Sequence, residues 1–345
     1  MATQLLTRLS SRSILIWRIV QILVWLVGVT ILFFLIFFPE IGIHMFWNVL
    51  IPVAPLLLVV GTGIWRNVCP MASTALFPRH MGFSKKKKLN ITQTGKLNLI
   101  SIVLLFLIVP LRHAIFDTSG MATAILILSL GAIAFIVGTI YEWKSAWCSG
   151  LCPVHPVEKM YGLNNQLRVP NAHCDECRRC ITPCPDSTDN IDPLTTKKTT
   201  FHSMAGILTV GGLPGFIYGW FQVPDYAGIA GWEQLISIYT PPMLGLAVTL
   251  VLFVLLKRIF KERTIIEFYS AIAVSCYYWF RLPALFGFGK FSSDGMLVDL
   301  SSVIHAWSIQ GVVYALTLFF FWWIIIRKKT SVSWAVRPVF AEDKT

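Results

Sequence analysis

The sequence predicts an all-α, polytopic membrane protein of about eight transmembrane helices, with a small cytoplasmic, cysteine-rich insertion between the fourth and the fifth. Three observations predict it. Of 345 residues, 55% are hydrophobic and only 13% are charged, and the mean hydropathy of +0.67 lies far outside the range of a soluble globular chain. The apolar residues fall in runs long enough to cross roughly 30 Å of hydrocarbon. Lysine and arginine then crowd into alternate connections, as they do when short basic loops stay on the cytoplasmic side.

The expected spans lie near residues 13–38, 45–65, 97–116, 121–142, 203–223, 236–256, 264–283 and 302–326. Arg8 and Arg12 precede the first, but that stretch exceeds a signal-peptide core and lacks a small-residue cleavage site, so it reads as a retained helix. The fifth and seventh are the least regular. The fifth carries Gly211, Gly212, Pro214 and Gly215, and the seventh carries Glu267 and ends at Arg281. The glycines, with Pro241 and Pro242 of the sixth span, fit close helix packing, with a broken-helix quinone pocket as the alternative. Trp322 and Trp323 before Arg327 fit an interfacial aromatic belt.

Charge sets the expected orientation. The connection after the second span holds Arg66, Arg79, Lys85, Lys86, Lys87, Lys88 and Lys96 and no acid. The connection after the fourth holds Lys144, Lys159, Arg168, Arg178, Arg179, Lys197 and Lys198. Lys257, Arg258, Lys261, Arg263, Arg327, Lys328 and Lys329 mark further inner ends, whereas Glu40, Asp117, Asp225, Glu233, Asp294 and Asp299 fall in the opposite turns. Both termini and the cysteine-rich segment are thus expected in the cytoplasm of a bacterial-type inner membrane. The organisation is residues 1–142 with four helices and a basic loop 66–96, residues 143–200 as the insertion, and residues 201–345 with four more helices and a short tail. The net charge of +12 reads as topology and contact with membrane lipid headgroups, with no nucleic-acid partner implied. The run Lys85 to Lys88 is a lipid anchor or a dock for an acidic ferredoxin or flavodoxin.

Seven of the eight cysteines form three groups: Cys69; Cys148 with Cys152; and Cys174, Cys177, Cys180 and Cys184. Each group ends in Cys-Pro. The last reads CDECRRCITPCP, the C-x2-C-x2-C-x3-C-P run with which bacterial ferredoxins hold cubane iron–sulfur clusters. Disulfides are disfavoured on the cytoplasmic side. Zinc competes for thiolates, but its ribbons use two separated C-x2-C pairs instead. In a ferredoxin run the first three cysteines bind one cluster and the fourth binds its neighbour, which implies two [4Fe-4S] clusters. Cys174, Cys177, Cys180 and Cys152 would hold the first, and Cys184, Cys148 and Cys69 the second. The remaining place is open to His155, His173, Asp186, water or a partner's residue, and one cluster with spare thiols is the plainer alternative. Cys276, inside the seventh span, reads as a small core residue.

WCSGLCPVHP, followed by one ferredoxin run between membrane helices, resembles the polyferredoxin membrane proteins. These include the NapH- and NosR-type proteins of nitrate and nitrous oxide respiration and the copper-oxidase accessory proteins of the FixG/CcoG type. The likeness covers about residues 60 to 200. It implies a 4Fe-4S protein that passes electrons between the quinone pool and redox partners. The chain departs from the pattern at Trp65, which stands where a first cysteine of the motif ending at Cys69 is expected, and it has a single ferredoxin run. Residues 117–123 partly resemble that group's flavin-attachment motif, although a Ser-Gly turn capping the fourth span explains them more simply.

On the opposite side, His44, His113 and His305 fall at similar depth, where paired histidines can ligate a b-type haem, and Arg112 could meet a quinone carbonyl. The plainer reading is interfacial hydrogen bonding. His80 and His202 read as surface or headgroup contacts. No nucleotide loop, Walker lysine, Ser-His-Asp pattern or H-E-x-x-H helix is present, so a stand-alone enzyme has no visible site. The sequence therefore points to a membrane-bound redox relay, a subunit of or accessory to a larger redox complex. An assembly factor that reduces a metal or thiol, and a structural subunit with a non-redox cluster, are the alternatives.

Overall fold

A computed structural model describes residues 10–87, 89–142, 144–163, 172, 192–194, 199–226, 230–291 and 295–327. Every element among them is helical. Six helices are long and apolar enough to cross a membrane: α1 (Ser11–Phe37), α2 (Pro39–Val60), α5 (Ile91–Ile108), α6 (Gly120–Ile140), α9 (Leu235–Leu256) and α11 (Ala306–Ile326). Shorter helices α3 (Thr62–Val68), α4 (Pro70–His80) and α7 (Val154–Tyr161) lie between them, and α8 (Thr200–Trp220) and α10 (Glu262–Leu285) complete the bundle. The chain is a multi-pass membrane protein whose outer faces carry exposed Leu15, Ile22, Leu128, Val251 and Leu318, an apolar surface suited to lipid.

Helix boundaries follow local chemistry more closely than hydropathy. α5 starts at Ile91, ahead of its apolar run, because Asn90 and Gln93 form a reciprocal capping box. Ser119 caps α6 by accepting the Ala122 N–H at 3.2 Å, the expected Ser-Gly turn, and the Thr123 hydroxyl donates to the Phe116 carbonyl. α2 stops at Gly61, and the basic connection that follows is mostly helical: α3 and α4 meet at Cys69, whose extended ψ of 115° lets Pro70 begin the next helix. The lysine run is strapped along α6, with Lys85 and Lys87 N–H groups donating to Thr139 and Ile140 carbonyls at 2.7 and 3.0 Å. Lys88 lies outside the described residues.

The fifth and seventh expected spans correspond to α8 and α10, which are not among the six and are the helices with the most buried residues. α8 packs along α9 so closely that a Cβ on Gly215 would meet the Gly245 carbonyl oxygen at 1.9 Å, and one on Gly219 would meet that of Pro241 at 2.1 Å. Helix approach therefore accounts for the glycines, and Thr249 ties the crossing by accepting the Gly215 N–H at 3.2 Å. α10 buries Tyr269, Val274 and Tyr278 in the main core. Its charges are engaged: Arg263 Nε donates to Glu267 at 2.7 Å, and Arg281 donates to the Trp47 carbonyl at 3.1 Å and to Asn48 Oδ1 at 2.6 Å. Cys276 is half-buried on α10, not a fully enclosed core residue.

Candidate metal centre

One end of the bundle gathers the loops that carry cysteines. Cys69 sits at the α3–α4 corner. Cys148 lies in a wide-turned helical segment, Lys144–Leu151, and Cys152 closes it, its N–H donating to the Trp147 carbonyl at 2.8 Å. Cys69 and Cys148 share an apolar patch with Ala72, Ala75, Leu76, Ala134 and Trp147. Cys152 lies within electrostatic reach of both other thiols and of the Val154 and His155 backbone N–H groups; the His155 N–H itself donates to the Cys152 carbonyl at 3.3 Å. Burial pushes the Cys152 thiol well above its ordinary range, Cys148 and Cys69 push it further, and the two N–H groups pull it back.

By exposed area, Cys69, Cys148 and Cys152 are each half-buried. Thiolates held close together repel one another, and a bound cation would reverse that balance by holding them deprotonated. Among the described residues, no three His, Cys, Asp or Glu side chains stand close enough to share a single ion. A cubane instead takes each thiolate on a different iron. Cys174, Cys177, Cys180, Cys184, His173 and Asp186 lie outside the described residues.

What the structure does place are the flanks of that run. Ala172, two residues before Cys174, donates its N–H to Asn67 Oδ1 at 2.8 Å, and Asn67 stands two residues before Cys69. Asn67 is fully buried, gives its Nδ2 to the Gly63 carbonyl at 2.8 Å, and receives Gln21 on its own carbonyl at 2.9 Å. On the far flank, Asp192 pairs with Arg263 at 3.5 Å and Leu194 enters the core beside α8.

Two ion pairs fasten the cysteine loops to one another. Arg66 of α3 pairs with Glu158 of α7, and Arg79 of α4 donates to Glu142 at 2.6 Å. Burial alone would raise the Glu158 carboxyl, but Arg66 and His155 hold it down to about 2. His155 is 4% exposed. Burial and Lys159 lower its imidazole to about 4, keeping it neutral. Sequence reasoning named the cysteines and His155, and the structure brings Cys69, Cys148 and Cys152 together, but that reasoning gave no part in this region to Asn67 or Glu158 and read Arg66 only as a topology charge. Polar residues flanking the Cys-Pro motifs by two to six positions were the available signal.

The opposite end holds the other sequence candidates. His113 has both ring nitrogens engaged, Nδ1 with Asp225 at 2.5 Å and Nε2 with the Trp220 carbonyl at 3.0 Å. His44 Nδ1 meets Asn48 Nδ2 at 3.2 Å, and His305 lies against Trp307. The three histidines thus take separate partners, and His113 offers no spare nitrogen to a haem. Arg112 donates to Asp117 at 2.6 Å and lies over the rings of Trp47 and Trp220, at 4.5 and 5.0 Å. Asp117 Oδ2, Tyr277 Oη and Arg281 Nε are buried there without hydrogen-bond partners. Thr199 caps α8 by accepting the His202 N–H at 3.4 Å, with His202 Nδ1 at 2.8 Å from the same hydroxyl, and His80 ends α4 at the surface.

No protein-family model, curated protein or solved structure matches this chain. The resemblance to polyferredoxin membrane proteins accordingly rests on the cysteine motifs themselves.

Proposed function

We propose that this protein is a membrane-bound iron–sulfur electron-transfer protein of the polyferredoxin type, relaying electrons between a cytoplasmic or membrane redox partner and the quinone pool or a respiratory-enzyme subunit. The observation that carries the reading is the convergence of Cys69, Cys148 and Cys152, from two separate loops, beside the Asn67–Ala172 bond that leads into the ferredoxin run. α8 and α10, 21 and 24 residues long, serve as the seventh and eighth spans. That count puts both termini at the cysteine end, and the basic loops assign that end to the cytoplasm of an inner membrane.

Cys174, Cys177, Cys180 and Cys152 would hold one [4Fe-4S] cluster, and Cys184, Cys148 and Cys69 most of a second. When bound, such clusters supply one-electron exchange without bond-making chemistry. The chain does the rest. Trp147 with the alanines of α4 excludes water, the Val154 and His155 N–H groups stabilise thiolate charge at Cys152, and the Arg66–Glu158 and Arg79–Glu142 pairs keep the loops in register.

The test is iron and acid-labile sulfide analysis of protein purified without oxygen, with redox-poised EPR in the presence of a quinol and of a reduced ferredoxin. The reading expects about eight irons per chain for two clusters and reduction by at least one donor. Colourless protein, or protein carrying zinc instead, would overturn it.

A further inference from the structure

The connection between α4 and α5 carries a cationic run that electron transfer leaves without a task. Between Glu40 and Asp117 the chain holds no carboxylate, and Lys85, Lys86 and Lys87 follow one another there, all three exposed. Their backbone is pinned. The Ser84 hydroxyl donates to the Gly138 carbonyl at 2.7 Å, the Lys85 and Lys87 N–H groups donate to Thr139 and Ile140 at 2.7 and 3.0 Å, and the Glu142 N–H donates to the Lys87 carbonyl at 2.9 Å. The run thereby satisfies the last carbonyls of α6, which have no further helical turn to meet them. Holding it there puts Lys86 at a φ of 50°, the one positive value among the described non-glycine residues. Glycine is the residue that this conformation favours, and a side chain kept in such a place is a pointer to function.

The setting is the end of a membrane helix. α6 is one of the six helices long and apolar enough to cross a bilayer, and the lysines sit on its terminal carbonyls, about one turn from Ile136, which is 54% exposed. Phe77 of α4 and Phe83 both lie against the Phe135 ring of α6, with centroids 6.3 and 6.1 Å away. Phe77, Met81 and Phe83 are nevertheless exposed. Arg79, the neighbouring cation, is taken up by Glu142 at 2.6 Å. Three ammonium groups and three exposed apolar side chains therefore share one helix end. A soluble acidic partner would use only the charge and leave the rings wet. An anionic phospholipid uses both, with its phosphate on the ammonium groups and its acyl chains on the rings.

We infer that residues 77–87, from the last turn of α4 to the strap on α6, form a headgroup site for an anionic phospholipid, in which Lys85, Lys86 and Lys87 take the phosphate and Phe77, Met81 and Phe83 take the acyl chain beneath it. The inference stands on the membrane class of the chain and is independent of the iron–sulfur reading.

The experiment uses the full chain in detergent with phosphatidylglycerol or phosphatidylcholine of the same acyl chains, and reads bound lipid by native mass spectrometry together with the unfolding midpoint. Wild type should retain phosphatidylglycerol in preference to phosphatidylcholine and unfold at a higher temperature with it, both effects shrinking as salt is raised. With each surface lysine worth about a fivefold change in affinity, the triple variant Lys85→Gln, Lys86→Gln and Lys87→Gln should bind phosphatidylglycerol roughly a hundredfold more weakly and phosphatidylcholine as before. Lys86→Gly relieves the left-handed backbone, so it should fold at least as stably as wild type and still lose about fivefold. Phe83→Ser should weaken both lipids and preserve their ratio. Equal retention of the two lipids by wild type would overturn the inference, as would a triple variant that keeps the preference. Binding of an acidic ferredoxin through the same lysines, with no preference for phosphatidylglycerol, would overturn it in favour of a protein dock.

Discussion

The two ends of the bundle bury polar groups in different ways. At the end opposite the cysteines, hard groups meet hard partners: Arg112 with Asp117, His113 with Asp225 and a carbonyl, Arg281 with Asn48 and a carbonyl. Trp47 and Trp220 wall the arginine in. At the cysteine end the arginine–carboxylate pairs are equally well made, but they surround three thiols and an imidazole nitrogen. Ion pairs at the first site close the structure on itself. At the second they tie together the loops that carry soft donors, Cys69, Cys148 and Cys152. Unpartnered buried atoms occur at both ends, Asp117 Oδ2, Tyr277 Oη and Arg281 Nε at the first and His155 Nε2 at the second, so what sets the cysteine end apart is the gathering of thiols.

Cys152→Ser and Cys276→Ser should separate most widely. The first should cost about half of the iron, and the second, on α10 away from the loops, should leave iron content unchanged when both are measured on anaerobically purified protein. Next in size is Arg66→Met, which strands the buried Glu158 carboxylate. Breaking a buried pair on one side costs about 3–5 kcal/mol, to be read as a lower unfolding midpoint in detergent. The double variant Arg66→Met with Glu158→Leu should recover most of that loss. If the single and double variants are equally damaged, the pair is not what holds α3 to α7.

The two ends should also answer pH in opposite directions. Asp117 is raised from 3.8 to about 6, by burial first, with Arg112 opposing. Its folded form binds the proton more tightly than the unfolded chain, so its contribution is fullest below pH 4 and is lost as pH rises through 6. Glu158 is lowered from 4.5 to about 2, so its contribution is present above pH 4.5 and is lost as pH falls toward 2. At about 1.4 kcal/mol per pKa unit, unfolding midpoints followed against pH should flatten between 4 and 6 in Asp117→Asn, and between 4.5 and 2 in Glu158→Gln. The smallest effect expected is that of Ser119→Ala, which removes the α6 cap at the far end. About 1 kcal/mol of stability should go with no change in bound iron, and a change in iron would mean the ends are coupled.

How much of this was legible beforehand depended on the kind of signal. The multi-pass class was carried by long apolar runs, and the Ser119 turn by a local cap, since both are decided within a few residues. The start of α5 moved to Ile91 because a capping box outweighs the onset of hydrophobicity. The glycines of α8 stood between packing and a pocket until α9 was seen against them, because a glycine states only that space is short, not what fills it. His113 read as a candidate ligand until Asp225 and the Trp220 carbonyl, both more than a hundred residues away in sequence, took its nitrogens.

The sequence by itself determined the membrane class and the number and spacing of the cysteines, because hydropathy and residue order are properties of the chain alone. Only the tertiary structure decided which loops stand together: Asn67 holding Ala172, Arg66 reaching Glu158, and Cys69 joining Cys148 and Cys152 across a gap of about eighty residues. Those contacts depend on helix packing, which brings distant segments to one end of the bundle, and no local pattern in the chain encodes that choice.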